Sequence, residues 1–117
     1  EYTLQIQAHM RFEQGWDVTL IEQYERLPSR RAVLTAWLPG YLPPDQLEPL
    51  GDQIPMMTLN RFAGAEDPQM LHLTRTMVPR DDVEGQIIPT ALWVGNFMFT
   101  RSSTLEELPY DPYIYFW

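Results

Sequence analysis

Tyr2, Leu4, Ile6 and Ala8 alternate with Thr3, Gln5 and Gln7, the two-residue period of a half-buried β-strand. The alternation stops at His9-Met10-Arg11, and Gly15-Trp16-Asp17 opens a different rhythm. Leu20, Tyr24 and Leu27 fall at i, i+4 and i+7, with Glu22, Glu25 and Arg26 elsewhere. That spacing predicts an amphipathic helix over residues 18–27 with Asp17 as its N-cap, closed by Pro28-Ser29. The apolar run Ala32 to Trp37 is too short for a helix and reads as a buried strand. A β–α–β order over about forty residues predicts a parallel strand pair joined by a right-handed crossover.

Residues 38–53 hold Pro39, Gly40, Pro43, Pro44, Pro49 and Gly51, which predicts an ordered loop or lid. Residues 54–63 and 70–78 are strand-like and are joined by Gly64-Ala65-Glu66-Asp67-Pro68, the pattern of an antiparallel hairpin. Arg80 to Gly85 reads as a charged loop. A further strand over 91–100 is interrupted at Gly95-Asn96, and two readings stand there: a close approach of backbone to a ligand, or a plain β-bulge. Ser103-Thr104-Leu105-Glu106 fits a capping box opening a short helix, and Tyr110-Asp111-Pro112 a turn. The predicted fold is α/β: a mixed, partly parallel sheet of about four to six strands with one main helix.

Composition narrows the chemistry. The 117 residues carry 16 acids against 8 bases, a net charge of −8, and every base is an arginine. Such a chain repels phosphodiester backbones, which argues against nucleic acid as a partner. The absence of cysteine removes disulfides and thiolate zinc sites and suits a reducing compartment. No apolar run approaches the roughly 20 residues of a membrane span. The opening inside a strand pattern, without Met, and the apolar close Tyr113 to Trp117 read as one domain, 1–117, cut from a longer protein. The aromatic tail predicts self-association.

A strand that delivers polar side chains at its carboxyl end, just before a helix, is where open α/β sheets place ligands. Arg11 offers a bidentate fork for phosphate; its alternative is an ion pair with Glu13 or Asp17. His72 has no nearby acid or thiol for metal ligation. Asp81, Asp82 and Glu84 form an acidic cluster, and such charged loops are usually only solvated. Met56, Met57, Met70 and Met77 follow strand spacing and read as core or interface filler. The two histidines lack partners for a hydrolytic triad, and no glycine loop cradles phosphate.

Gln5-Ile6-Gln7-Ala8-His9-Met10-Arg11-Phe12, Gly15-Trp16-Asp17, Pro39-Gly40-Tyr41, Gly95-Asn96-Phe97-Met98-Phe99 and Pro109-Tyr110-Asp111-Pro112 together resemble the cytoplasmic hydroxyproline N-acetylglucosaminyltransferase family, in order and in spacing. The resemblance implies the acceptor-side part of a GT-A fold and a cytoplasmic location. It also implies transfer of N-acetylglucosamine or a related hexose, with retention, from a UDP-sugar to a hydroxyl on protein or glycan. It further implies Mn²⁺ or Mg²⁺ on the diphosphate, held in the family by an Asp-x-His pair that maps here to Gln7 and His9. Gly95 and Asn96 map to the segment lining sugar and acceptor. Gln7 replaces the family's aspartate, and a neutral amide leaves the ion less compensated by about 4 kcal/mol at intermediate dielectric before solvation. The uridine-gripping part and an acidic motif are expected outside 1–117. A sugar- or protein-binding module without catalysis is the alternative.

Overall fold

The computed structural model describes all residues except 39, 48–50, 63–70 and 114–117. The centre is a three-stranded sheet in the order β1-β7-β2, formed by β1 (Tyr2–Ile6), β2 (Leu34–Thr35) and β7 (Phe97–Arg101). β7 is antiparallel to both neighbours, with Leu4 opposite Phe99 and Leu34 opposite Phe99 on the other side. β1 and β2 therefore run in the same direction, as the β–α–β pattern requires, but they do not touch. The expected parallel pairing fails because Phe97-Met98-Phe99-Thr100 is buried along its whole length, and a strand buried on both faces takes the central place. β2 keeps only two residues of the predicted six.

The main helix, α1 (Trp16–Glu25), starts earlier than expected. Its N-cap is Gly15 at φ 79°, a left-handed conformation that costs glycine nothing. Asp17 lies inside the first turn, where its charge favours the positive end of the helix without capping it. Tyr24 is fully buried; its ring meets Tyr2 at 5.6 Å and Phe99 at 5.9 Å, and Tyr2 stacks on Phe99 at 5.2 Å. The buried phenol is satisfied, donating to the carbonyls of Arg30 at 2.8 Å and Ala32 at 3.1 Å. At the rim, Glu25 accepts from Tyr2, Arg30 and Arg101. These bonds, the Tyr2 hydroxyl's foremost, hold the Glu25 carboxyl down at about 2.

α3 (Ser102–Glu107) follows directly on β7. The expected capping box is displaced: the helix begins one residue sooner, at Ser102, with Arg101 as N-cap and no side-chain cap. The Ser102 hydroxyl instead bonds that of Thr3 at 3.0 Å.

The predicted loop over 38–53 contains a small hairpin, β3 (Tyr41–Leu42) with β4 (Gln46–Leu47). The hairpin expected from residues 54–63 and 70–78 is present as β5 (Gln53–Phe62) and β6 (Leu71–Pro79), antiparallel, with an irregularity between Leu59 and Arg61. Its joint, Gly64 to Pro68, and Met70 lie outside the described residues. Met56, Met57 and Met77 are half-buried. The charged loop forms one turn of helix, α2 (Arg80–Val83), with Asp81 and Asp82 in its first turn. The chain exposes 9418 Å², against roughly 6,600 Å² for a compact monomer of this mass. Its radius of gyration of 15.8 Å likewise exceeds the roughly 13 Å expected for the length. The buried core among the described residues is small: Tyr24, Phe97, Met98 and Phe99 are its hydrophobic members.

Candidate functional site at the end of the first strand

β1 ends where its backbone turns, the Met10 amide donating to the Gln7 carbonyl at 3.3 Å. A second turn faces it. The Phe97 amide donates to the Val94 carbonyl at 3.2 Å, which places Gly95 and Asn96 at the entrance to β7. The predicted interruption of the strand at Gly95-Asn96 is thus a turn that starts the strand. The Gln7 backbone amide donates to the Asn96 backbone carbonyl at 3.2 Å, joining segments far apart in the chain. Thr35 braces the turn from the other side, accepting from the Val94 amide at 2.8 Å and donating to the Phe97 carbonyl at 2.9 Å.

Glycine at 95 is not demanded by the fold. Its φ is not left-handed, and an added Cβ would meet only the Gln5 amide nitrogen at 3.9 Å, an ordinary contact. Gly95 is exposed, with the Gln5 side chain as its neighbour. Asn96 Oδ1 is buried without a hydrogen-bond partner, a condition that native structures seldom leave unexplained.

On the β1 side, His9 is exposed, with its ring 6.2 Å from that of Tyr41. Arg11 lies over the same ring, Cζ 4.4 Å from the centroid. It donates to the Tyr41 hydroxyl at 2.6 Å and to the Met10 carbonyl at 2.9 Å. The alternative ion pair with Glu13 or Asp17 is not made; Arg11 forms no ion pair among the described residues. Arg30 and Arg101 are tied to Glu25, and Arg31 to Glu107. Arg26 and Arg80, like Arg11, show no ion pair among the described residues. Arg11 differs in that its guanidinium is held over the Tyr41 ring, and in a chain of net charge −8 such a fixed positive group can attract an anion.

Gln7, His9 and Arg11 thus share one strand end, with Gly95 and Asn96 bonded to it. His72 lies on β6, paired in register with Arg61, and the acidic Asp81, Asp82 and Glu84 are exposed around α2. Three residues of the arrangement were not singled out by sequence: Tyr41, which holds Arg11, and Gln5 and Tyr110, which reach the Gly95 turn. Each sat within a motif, but a side chain that acts by positioning another leaves no spacing signal. As a metal set, Gln7 and His9 offer two neutral donors beside a guanidinium. No group of three or more His, Asp or Glu that could hold a metal occurs among the described residues. A hard divalent cation prefers carboxylate and other oxygen ligands, so these residues alone do not fit one.

An exposed imidazole, a guanidinium held over Tyr41 and the polar Gln7 and Asn96 are thus gathered at a strand end of an α/β domain. The sequence model of the glycosyltransferase (GlcNAc) family matches residues 1–117, and the chain belongs to that family. Comparison with curated proteins and with solved structures gave no match. No helix among the described residues is long and apolar enough to cross a membrane.

Proposed function

We propose that this chain forms the part of a UDP-sugar-dependent glycosyltransferase that receives the donor's diphosphate and sugar, with N-acetylglucosamine or a related hexose passed to a hydroxyl on protein or glycan. The observation that carries this reading is the bond from the Gln7 amide to the Asn96 carbonyl. It brings the segment assigned to the diphosphate against the segment assigned to the sugar. Arg11 and His9 contact the diphosphate, and Arg11 opposes the negative charge that grows on it as the glycosidic bond breaks. The exposed face of Gly95 admits the sugar, and the Asn96 amide contributes to its hydroxyl recognition. The GT-A architecture and a cytoplasmic location belong to the same proposal. Mn²⁺ or Mg²⁺ would supply further charge compensation to the diphosphate; its carboxylate ligands would come from outside the described residues.

Titration of UDP-N-acetylglucosamine into the full-length protein tests the reading. Saturable binding is expected, weakened about tenfold or more by Arg11→Ala, the loss of one charge-assisted contact, and weakened also by His9→Ala. Absence of binding, or binding indifferent to both substitutions, would refute it. The neutral donor pair favours a second reading, a sugar-binding module without catalysis. Donor binding without transfer to any hydroxyl acceptor would select that one.

A further inference from the structure

The Tyr110 hydroxyl donates to Gln5 Oε1 at 2.7 Å and lies 3.7 Å from Met98 Sδ. Gln5 Nε2 in turn donates to the Gly95 carbonyl at 2.8 Å. A phenol beyond the last helix is thereby linked, through one carboxamide, to the backbone of the turn that faces the end of β1. We infer that Tyr110 and Gln5 are positioning residues, a relay by which the Pro109-Tyr110-Asp111-Pro112 segment fixes the Gly95-Asn96 turn for the sugar of the donor. This inference rests on the reading proposed above.

The two ends of the amide do different work. A carboxamide can be flipped, and one flip would set its oxygen against the Gly95 carbonyl, acceptor against acceptor. The Tyr110 hydroxyl donates to Oε1 and so stabilises the orientation in which Nε2 can donate to the turn. Tyr110 is 56% exposed, so its ring contributes little to the core and its hydroxyl can be removed with small structural cost. The backbone bond from Gln7 to Asn96 fixes one side of the turn, and the relay fixes Gly95. Loss of the relay frees the sugar side while leaving His9 and Arg11, on the other segment, where they are.

That separation provides the test. In the full-length protein, Tyr110→Phe and Gln5→Met are compared with wild type for binding of UDP and of UDP-N-acetylglucosamine. Amide hydrogen exchange at residues 95–97 and the melting temperature are followed in parallel. The relay predicts faster exchange at the turn in both variants and UDP-N-acetylglucosamine affinity lowered about tenfold, the effect of a lost hydrogen bond and a loosened site. UDP affinity and melting temperature stay unchanged. A merely structural role would move both ligands together or neither. Unchanged exchange in both variants overturns the relay. Faster exchange with unchanged UDP-N-acetylglucosamine affinity overturns its role in sugar binding. A wild-type protein that binds neither ligand overturns the proposed function itself and the sugar-binding role with it, while the exchange rates still decide whether the relay holds the turn.

Discussion

The central sheet and the β5–β6 hairpin are built from equally strand-like sequence, yet among the described side chains only the sheet has a core. Around β7, Phe97, Met98, Phe99 and Thr100 are buried and Tyr24 closes one face. Along the hairpin, Pro55 is the one buried residue among the described side chains, and its cross-strand contacts include an exposed hydroxyl pair, Thr58 with Thr76 at 2.7 Å. Two-stranded ribbons are marginal by themselves. Alternation specifies that a segment is a strand and which residues share a face. It does not supply the layer that covers the face. The candidate site lies at the end of that sheet, where the Gly95-Asn96 turn is bonded to Gln7 and flanked by the Thr35 hydroxyl.

The contrast is broken most sharply at Tyr24. Tyr24→Ala removes a fully buried ring and two hydrogen bonds to loop carbonyls, and it should destabilise the protein by about 3–5 kcal/mol in a denaturant titration. A loss comparable with that of a surface substitution would show that the sheet has no more core than the hairpin. At the strand end, Gln7→Asp adds the charge that a divalent cation needs and should raise Mn²⁺ affinity at least about tenfold by titration. Unchanged affinity removes Gln7 from any metal site.

The Glu25 network adds a pH dependence to the sheet. Its carboxyl is held near 2, below the ordinary 4.5, so the folded state prefers the ionised form. The stability gained is present above about pH 4.5 and is lost as pH falls through about 2, below which both states are protonated. Glu25→Gln should therefore lie below wild type in stability at neutral pH, with the gap closing through that window; a gap constant down to pH 2 would exclude this origin. The smallest effect belongs to the hairpin. Thr58→Val costs about 0.5 kcal/mol or less, because an exposed cross-strand hydroxyl pair contributes little, and a loss of several kcal/mol would reveal a covering layer over that face.

Much of this could be read from the chain. The alternation of Tyr2, Leu4 and Ile6, the helix carrying Leu20 and Tyr24, and the hairpin from Gln53 to Pro79 follow from periodicity. The neighbour of β1 did not, because periodicity states that a strand is buried without naming its partner. The continuous burial of Phe97 to Thr100 decided that choice. The helix start moved from Asp17 to Gly15 because a left-handed glycine fixed the entry to the helix, an effect that a search for polar caps overlooks. In the site, His9, Arg11 and Gly95 stood out by their positions at strand ends and turns. Tyr41 did not, since its contact with Arg11 depends on a loop whose path no local pattern specifies. Of the aromatic tail, residues 114–117 lie outside the described residues; Tyr113 before them is 84% exposed.

The most direct test follows backbone amide signals of the full-length protein as UDP-N-acetylglucosamine is added. Signals of residues 7–11 and of 95–96 are predicted to shift together, along one saturation curve, while those of the β5–β6 hairpin stay in place. Shifts confined to the hairpin, or none at either turn, would contradict a donor site at the end of the first strand.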